Sequence, residues 1–267
     1  MAVVMLGGLL VVFLLLPFVG LLSTTSFATF SAGLRHPLVW PALKLSLFTT
    51  SVSLLIIVAC GTALAWILAG RDDRLGRSIE TLVELPVVVP PAVAGVALLL
   101  AFGRRGLLAQ LQPEPSSLAF TTAAVIMAEV FVAAPFFVQA ATSAFRRLDR
   151  DLLLVARSLG ASPLRVFMRI ALPLAAPGLV SGAAMSWARS LGEFGATLMF
   201  AGNLSGRTQT LPLAIYTALE SDLQAAQSLS LVLVGVAFAL LLVVRAASAR
   251  LREPLQVQAA TTIRREP

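Results

Sequence analysis

Charge is scarce in this chain: Asp, Glu, Lys and Arg make up 12% of 267 residues, while hydrophobic residues make up 58%. Soluble domains carry about 25% charge and about 45 to 50% apolar residues, so the composition excludes an ordinary water-soluble domain and indicates an integral membrane protein. Reactive residues are scarcer still. A single cysteine, Cys60, rules out an internal disulfide, and a single histidine, His36, leaves no Cys/His set at metal-ligand spacing. Lys44, the only lysine, follows Ala42 and Leu43, so there is no Gly-x-x-x-x-Gly-Lys-Ser/Thr loop to hold ATP. Neither a Gly-x-Ser-x-Gly elbow nor a cysteine-histidine nucleophile pair is present. A self-contained enzyme is not expected.

What the chain has is long apolar runs. A helix needs about 20 such residues to cross the hydrocarbon layer, where only internal hydrogen bonds satisfy the backbone. Six stretches qualify: Ala2 to Leu22, Ala42 to Ala69, Leu82 to Phe102, Leu118 to Thr142, Leu174 to Phe200 and Ala226 to Val244. The first lacks a basic n-region and reads as a retained span. Ser23 to Pro41 reads as an external loop with room for a surface helix. Residues 1–250 form a single transmembrane domain in this reading, and the polar segment 251–267 a mobile cytoplasmic tail.

The net charge of +7 is explained by where the basic residues fall. With the N-terminus inside, the cytoplasmic segments hold Arg71, Arg74, Arg77, Arg146, Arg147, Arg150, Arg157, Arg165, Arg169, Arg245, Arg250, Arg252, Arg264 and Arg265. Only Arg35, Lys44, Arg104, Arg105 and Arg207 fall outside, and Arg189 lies within the fifth span. Fourteen against five satisfies the positive-inside rule with both termini cytoplasmic. The excess is therefore a topology signal and not a nucleic-acid footprint.

Residues 144–173 separate the fourth and fifth spans by far more than the two to eight positions usual between packed helices. Leu152, Val155, Ala156 and Leu159 recur at helical spacing, and Gly160 suits a left-handed C-terminal turn. Ser162 and Pro163 supply an N-cap and first-turn proline for a second helix, which carries Leu164, Phe167, Met168 and Ile170 until Pro173 ends it. Ala156, Gly160, Ile170, Leu172 and Pro173 stand at the spacing of Glu-Ala-Ala, three residues, Gly, nine residues, Ile-x-Leu-Pro. The loop thereby resembles the cytoplasmic loop of permease subunits of bacterial ATP-binding-cassette importers. Leu154 and Val155 depart from that pattern, replacing its Glu and first Ala, which leaves packing as the main interaction. The resemblance implies a type I ABC importer permease fold, all-α, with a coupling helix docked in a separate ATPase. The residues it assigns to that contact are Ala156, Arg157, Ser158, Gly160, Ala161, Ser162, Pro163, Arg165, Ile170 and Pro173.

Polar residues and helix breakers within spans are candidates for the translocation path. Pro90 and Pro91 interrupt span three. In span five, Arg189 and Glu193 share a helix face, either as a neutralising ion pair or as part of the path, followed by Phe194, Gly195 and Thr197 after Gly192. Gly178, Gly182 and Ser186 recur every four residues, which suits close helix contact at a subunit interface or gate. Glu129, near the middle of span four, reads as a paired or protonated buried group.

Leu85-Pro86 with Pro90-Pro91, Phe131 to Phe136, Gly192 to Thr197, Ala201-Gly202-Asn203 and Gly206 to Ala214 resemble the molybdate importer permeases. Sulfate and thiosulfate permeases are close relatives, and the run Arg207-Thr208-Gln209-Thr210-Leu211-Pro212 favours molybdate, with tungstate differing little from it. The resemblance implies a homodimer around a central path, two ATPase subunits holding ATP and Mg, and an external oxyanion-binding protein. No cofactor or metal is expected in this chain itself. An ion-gradient-driven secondary transporter is the rival reading, but it needs no docking loop, and no internal repeat is evident.

Overall fold

The computed structural model describes residues 1–111 and 117–263, and all their regular structure is helical. The helices are α1 (Ala2–Thr24), α2 (Phe27–Gly33), α3 (Val39–Ala69), α4 (Arg74–Val88), α5 (Pro91–Phe102), α6 (Thr122–Arg146), α7 (Arg150–Ser158), α8 (Pro163–Val166), α9 (Leu172–Leu191), α10 (Gly195–Ala201), α11 (Leu211–Ser221) and α12 (Leu223–Ile263). Five are long and apolar enough to cross a membrane, or six when the bent pair α4 and α5 counts as one span. The segment expected as a tail continues α12 to Ile263, while residues 264–267, including Arg264 and Arg265, lie outside the described residues.

The interruption expected at Pro90-Pro91 is a full break, and two other expectations need correction. Span three is not one helix but two, bent by 113° between Val88 and Pro91. Proline cannot donate a backbone hydrogen bond, so two in succession leave the helix no ladder to continue. Span five ends early, at Leu191, and resumes after Gly192, Glu193 and Phe194 as the separate α10. Pro173 does not terminate the second loop helix. Phe167–Ala171 widen into a π-helical turn in which the Leu172 amide donates to the Phe167 carbonyl, and the chain passes from α8 into α9 without a break. A π turn just before a proline shifts the ladder by one residue, which accommodates the missing donor. Helix α11 lies in a stretch for which the sequence suggested no element.

The chain divides into two compact units. The first comprises residues 1–46 and 203–236. Its core joins Val39 and Ala42 of α3, Leu211, Ala214 and Ala218 of α11, and Ala225, Ala226 and Leu229 of α12. The buried Ser46 hydroxyl accepts from the Leu211 amide at 2.7 Å and so satisfies a donor at the start of α11.

The second unit, residues 47–202 and 237–267, holds both candidate sites. Its centre is α6, against which α9 lies along its small-residue stripe. A Cβ on Gly182 would stand 2.8 Å from the Ala140 Cβ, and one on Gly178 would stand 2.5 Å from the Ala144 Cβ. The Ser186 hydroxyl donates to the Ala133 carbonyl at 2.9 Å. The stripe thus joins two helices of the same chain, a use that periodicity could not separate from contact between chains. Trp66 meets Phe145 edge to face and Phe167 at a tilt, closing the end of this core.

Gly182→Leu is expected to force α9 off α6, since overpacking a close contact costs about 1–3 kcal/mol. A lower melting temperature and yield of the purified protein should follow. Gly235→Leu, where nothing lies within 4 Å of a Cβ, should change neither.

Candidate docking loop and broken-helix gate

Helix α7 has no buried residue. Asp149 caps its start by accepting from the Asp151 amide at 2.8 Å. Its end is a double-bonded glycine turn: the Gly160 amide donates to the Arg157 carbonyl at 2.9 Å and the Ala161 amide to the Ala156 carbonyl at 3.1 Å. Gly160 has φ +86°, which side-chain-bearing residues rarely adopt, and a Cβ there would meet nothing within 4 Å. Ser162 then caps the next helix, accepting from the Arg165 amide at 3.4 Å. Leu152, Val155 and Leu159 remain exposed, the last 83% so. An apolar helix face ending in a fixed turn, with Arg165 exposed beside it, is suited to a groove in another protein.

From Pro163 the helix runs 29 residues to Leu191, about 43 Å at the usual rise. At its far end lies the second site. Arg189 and Glu193 form an ion pair at 2.8 Å, with the Glu193 side chain 1% exposed and that of Arg189 28%. The other Glu193 oxygen accepts from the Ala196 amide at 2.8 Å. One carboxylate therefore closes the break from both sides. It neutralises the arginine in the last turn of α9 and satisfies a free donor in the first turn of α10, where a negative charge complements the helix dipole.

Helix α10 lies directly on α5. A Cβ on Gly195 would stand 2.8 Å from the Pro91 Cβ, and one on Gly95 would stand 2.6 Å from the Met199 Cβ and 2.7 Å from the Ala196 carbonyl. The two proline-broken and glutamate-capped half-helices meet through glycines. Next to them, the hydroxyls of Ser190 and Thr197 are buried without a hydrogen-bond partner among the described residues. Elsewhere in the unit, Glu129 accepts from Thr49 at 2.7 Å and from Ser53 at 2.6 Å, and Trp187 donates to Thr50 at 2.9 Å.

The model of the family described as "Binding-protein-dependent transport system inner membrane component" matches residues 61–255. This chain belongs to that family. Among curated relatives, the molybdenum transport system permease protein ModB of Mycobacterium bovis is 45% identical over 228 residues, 85% of this chain and 86% of that one. The ModB protein of Escherichia coli K12 is 35% identical, over 76% of this chain and 89% of its own. The probable transport system permease protein NifC of Clostridium pasteurianum is 40% identical, over 75% and 71%. The fold is that of ABC importer permeases. A bacterial alginate ABC transporter chain superposes with a TM-score of 0.76 at 17% identity over 93% of this chain and 94% of that one. A chain of the inward-facing MetNI methionine ABC transporter gives 0.66 at 19% identity over 80% and 96%. The protein is thus a multi-pass inner-membrane permease.

Within this family member, the residues singled out by sequence separate into three groups. Ala156, Arg157, Ser158, Gly160, Ala161, Ser162, Pro163 and Arg165 lie together at the α7 turn. Ile170 and Pro173 do not; they belong to the rod that leads into α9. Pro91, Arg189, Glu193, Gly195 and Thr197 gather at the α5–α10 junction, with Phe194 at the N-cap position just before α10. Pro90 precedes α5 and is exposed, and Gly192 has φ −90°, which any residue adopts. The Thr208-Gln209-Thr210 run is buried in the first unit, where the Leu204 carbonyl accepts from Arg207, Thr208 and Gln209 amides and Asn203 donates to Thr217 at 2.9 Å. Sequence reasoning missed Thr49 and Ser53 as partners of Glu129. Two hydroxyls one turn apart in an apolar span, opposite a lone carboxylate, were the available signal.

Proposed function

We propose that the chain is the permease subunit of an ATP-driven importer of molybdate, with tungstate as an alternative cargo, and that it works as a homodimer. The observation that carries this reading is the 45% identity to a molybdenum permease over 86% of that protein's length. Two ATPase subunits hold ATP and Mg on the cytoplasmic side, an external oxyanion-binding protein delivers the anion, and both termini are cytoplasmic. The fourteen-to-five distribution of basic residues supports that orientation.

The mechanism follows from the connection of the two sites. The exposed apolar face of α7 seats in the ATPase, and the glycine turn at 160 fixes the angle between α7 and the rod. Displacement of α7 is carried along residues 163–191 to the Arg189–Glu193 junction, where α10 either stays on α5 or moves from it. The π turn at 167–171 gives the rod a place to flex. At the junction the unpartnered Ser190 and Thr197 hydroxyls and the part-exposed Arg189 are the groups suited to a passing dianion. Glu193, committed to Arg189 and to the α10 amide, is not. Weak contacts of this kind allow release as well as entry.

Reconstitution with an ATPase subunit and a molybdate-loaded binding protein should raise ATP hydrolysis well above the level with unloaded binding protein. Competition uptake with labelled molybdate, tungstate and sulfate then identifies the cargo. Uptake that persists on an ion gradient without ATP would overturn the reading.

A further inference from the structure

A cavity of about 600 Å³ lies between the ends of α3 and α6 and the inner side of α7. Its rim carries four arginines, Arg71, Arg146, Arg150 and Arg157, and its floor includes Trp66 and Ile67. Two of the four are compensated: Arg146 pairs with Glu80, and Arg150 pairs with Asp72 at 3.2 Å. Arg71 and Arg157 have no carboxylate partner among the described residues. The lining of the cavity therefore includes two arginines without a carboxylate partner.

Trp66 and Ile67 also line an adjoining groove of about 450 Å³ that continues along α3, past Ala63 and Ala59, to Phe167 and Leu172. Thr62 is the only polar side chain in that groove. A basic chamber beside an apolar trough at the end of a membrane helix has the chemical outline of one kind of molecule. We infer that this site binds an anionic phospholipid, its headgroup phosphate held by Arg71 and Arg157 and one acyl chain lying along α3 over Ile67. Trp66, shared by chamber and groove, fits, because a tryptophan ring partitions to the headgroup level of a bilayer. Basic pockets between helices on the inner side attract such headgroups.

Arg157, which the resemblance assigned to the ATPase contact, lines this cavity instead, and the apolar face suited to docking lies on the opposite side of α7. Leu152, Val155 and Leu159, the exposed apolar residues assigned to docking, do not line the cavity, whereas Leu153, Leu154 and Arg157 on the other side of α7 do. Helix α7 thus has one side for a protein partner and one for lipid, and the bound lipid would wedge the docking helix against α3. The inference rests on the cytoplasmic placement of these arginines proposed above, but its readout is lipid retention and not transport.

Native mass spectrometry of the detergent-purified permease–ATPase complex tests it, with phosphatidylglycerol and phosphatidylcholine of matched chains added separately. Phosphatidylglycerol should be retained and phosphatidylcholine should not. In the variant Arg71→Gln/Arg157→Gln, phosphatidylglycerol retention should fall roughly thirty-fold, the effect of two arginines near an anionic headgroup. Arg71→Lys/Arg157→Lys should keep most of it, and Arg104→Gln/Arg105→Gln all of it. Equal retention of the two lipids, retention unaffected by the glutamine pair, or displacement of the lipid by inorganic phosphate alone would each overturn the assignment. Should the glutamine pair fail to assemble, the comparison of the two lipids on the unaltered complex decides.

Discussion

Gly160→Val is expected to leave the permease inserted in the membrane while weakening its hold on the ATPase about tenfold or more. The reason is conformational. Gly160 sits at φ +86°, and its amide and that of Ala161 close the end of α7 on the Arg157 and Ala156 carbonyls. A side chain in left-handed backbone costs about 1–2 kcal/mol, and a β-branched one is disfavoured most strongly. The turn would reopen into another conformation and swing the apolar face of α7 away from its groove. Within this chain a Cβ at 160 meets nothing, so direct collision is not the cause. Gly160→Asn, which tolerates the left-handed region, should retain most of the affinity. Pull-down of the ATPase with membrane-extracted variants reads the effect, and Gly160→Val complexes as stable as the unaltered one would refute the docking role of the turn.

Glu193→Ala should have the largest effect on the permease alone. It removes the acceptor of the Ala196 amide and leaves Arg189, 28% exposed, without its counter-charge. Breaking a buried pair by deleting one partner costs about 3–5 kcal/mol, and the part exposure of Arg189 places the expected loss near the lower end. The melting temperature should drop by several degrees and uptake should be abolished. Glu193→Gln keeps an acceptor for the α10 amide and should lose less stability. Arg189→Leu/Glu193→Gln removes the orphaned charge and should recover stability without recovering uptake. Full uptake in that stabilised double variant would remove the pair from the gate and leave it a purely structural device.

Much of the docking turn was legible because its signals are local. Gly160, Ser162 and Pro163 act on backbone within three or four residues, so their spacing alone foretells a helix, a left-handed stop and a restarted helix. The gate was legible only as a set of candidates. Pro90-Pro91 announce a break, whereas the one at Gly192-Glu193-Phe194 was not foreseen, and nothing in their order says that Pro91 will touch Gly195 or that Glu193 will cap the helix following it. Pro173 was misread because a terminator in isolation is not one when a π turn precedes it.

By itself the sequence determined that this is a membrane protein, roughly where its long apolar helices lie and that a helix–glycine–helix loop stands between two of them. Those properties follow from composition, run length and contacts a few residues apart. Only the tertiary structure decided that span three bends by 113°, that the small-residue stripe of α9 faces α6 of the same chain, and that Glu129 is held by Thr49 and Ser53. It also decided that four arginines from α6, α7 and the loop after α3 line one cavity. The angle of the bend depends on what α5 packs against, the other features join residues far apart in the chain, and periodicity along one helix cannot specify which neighbour that helix will meet.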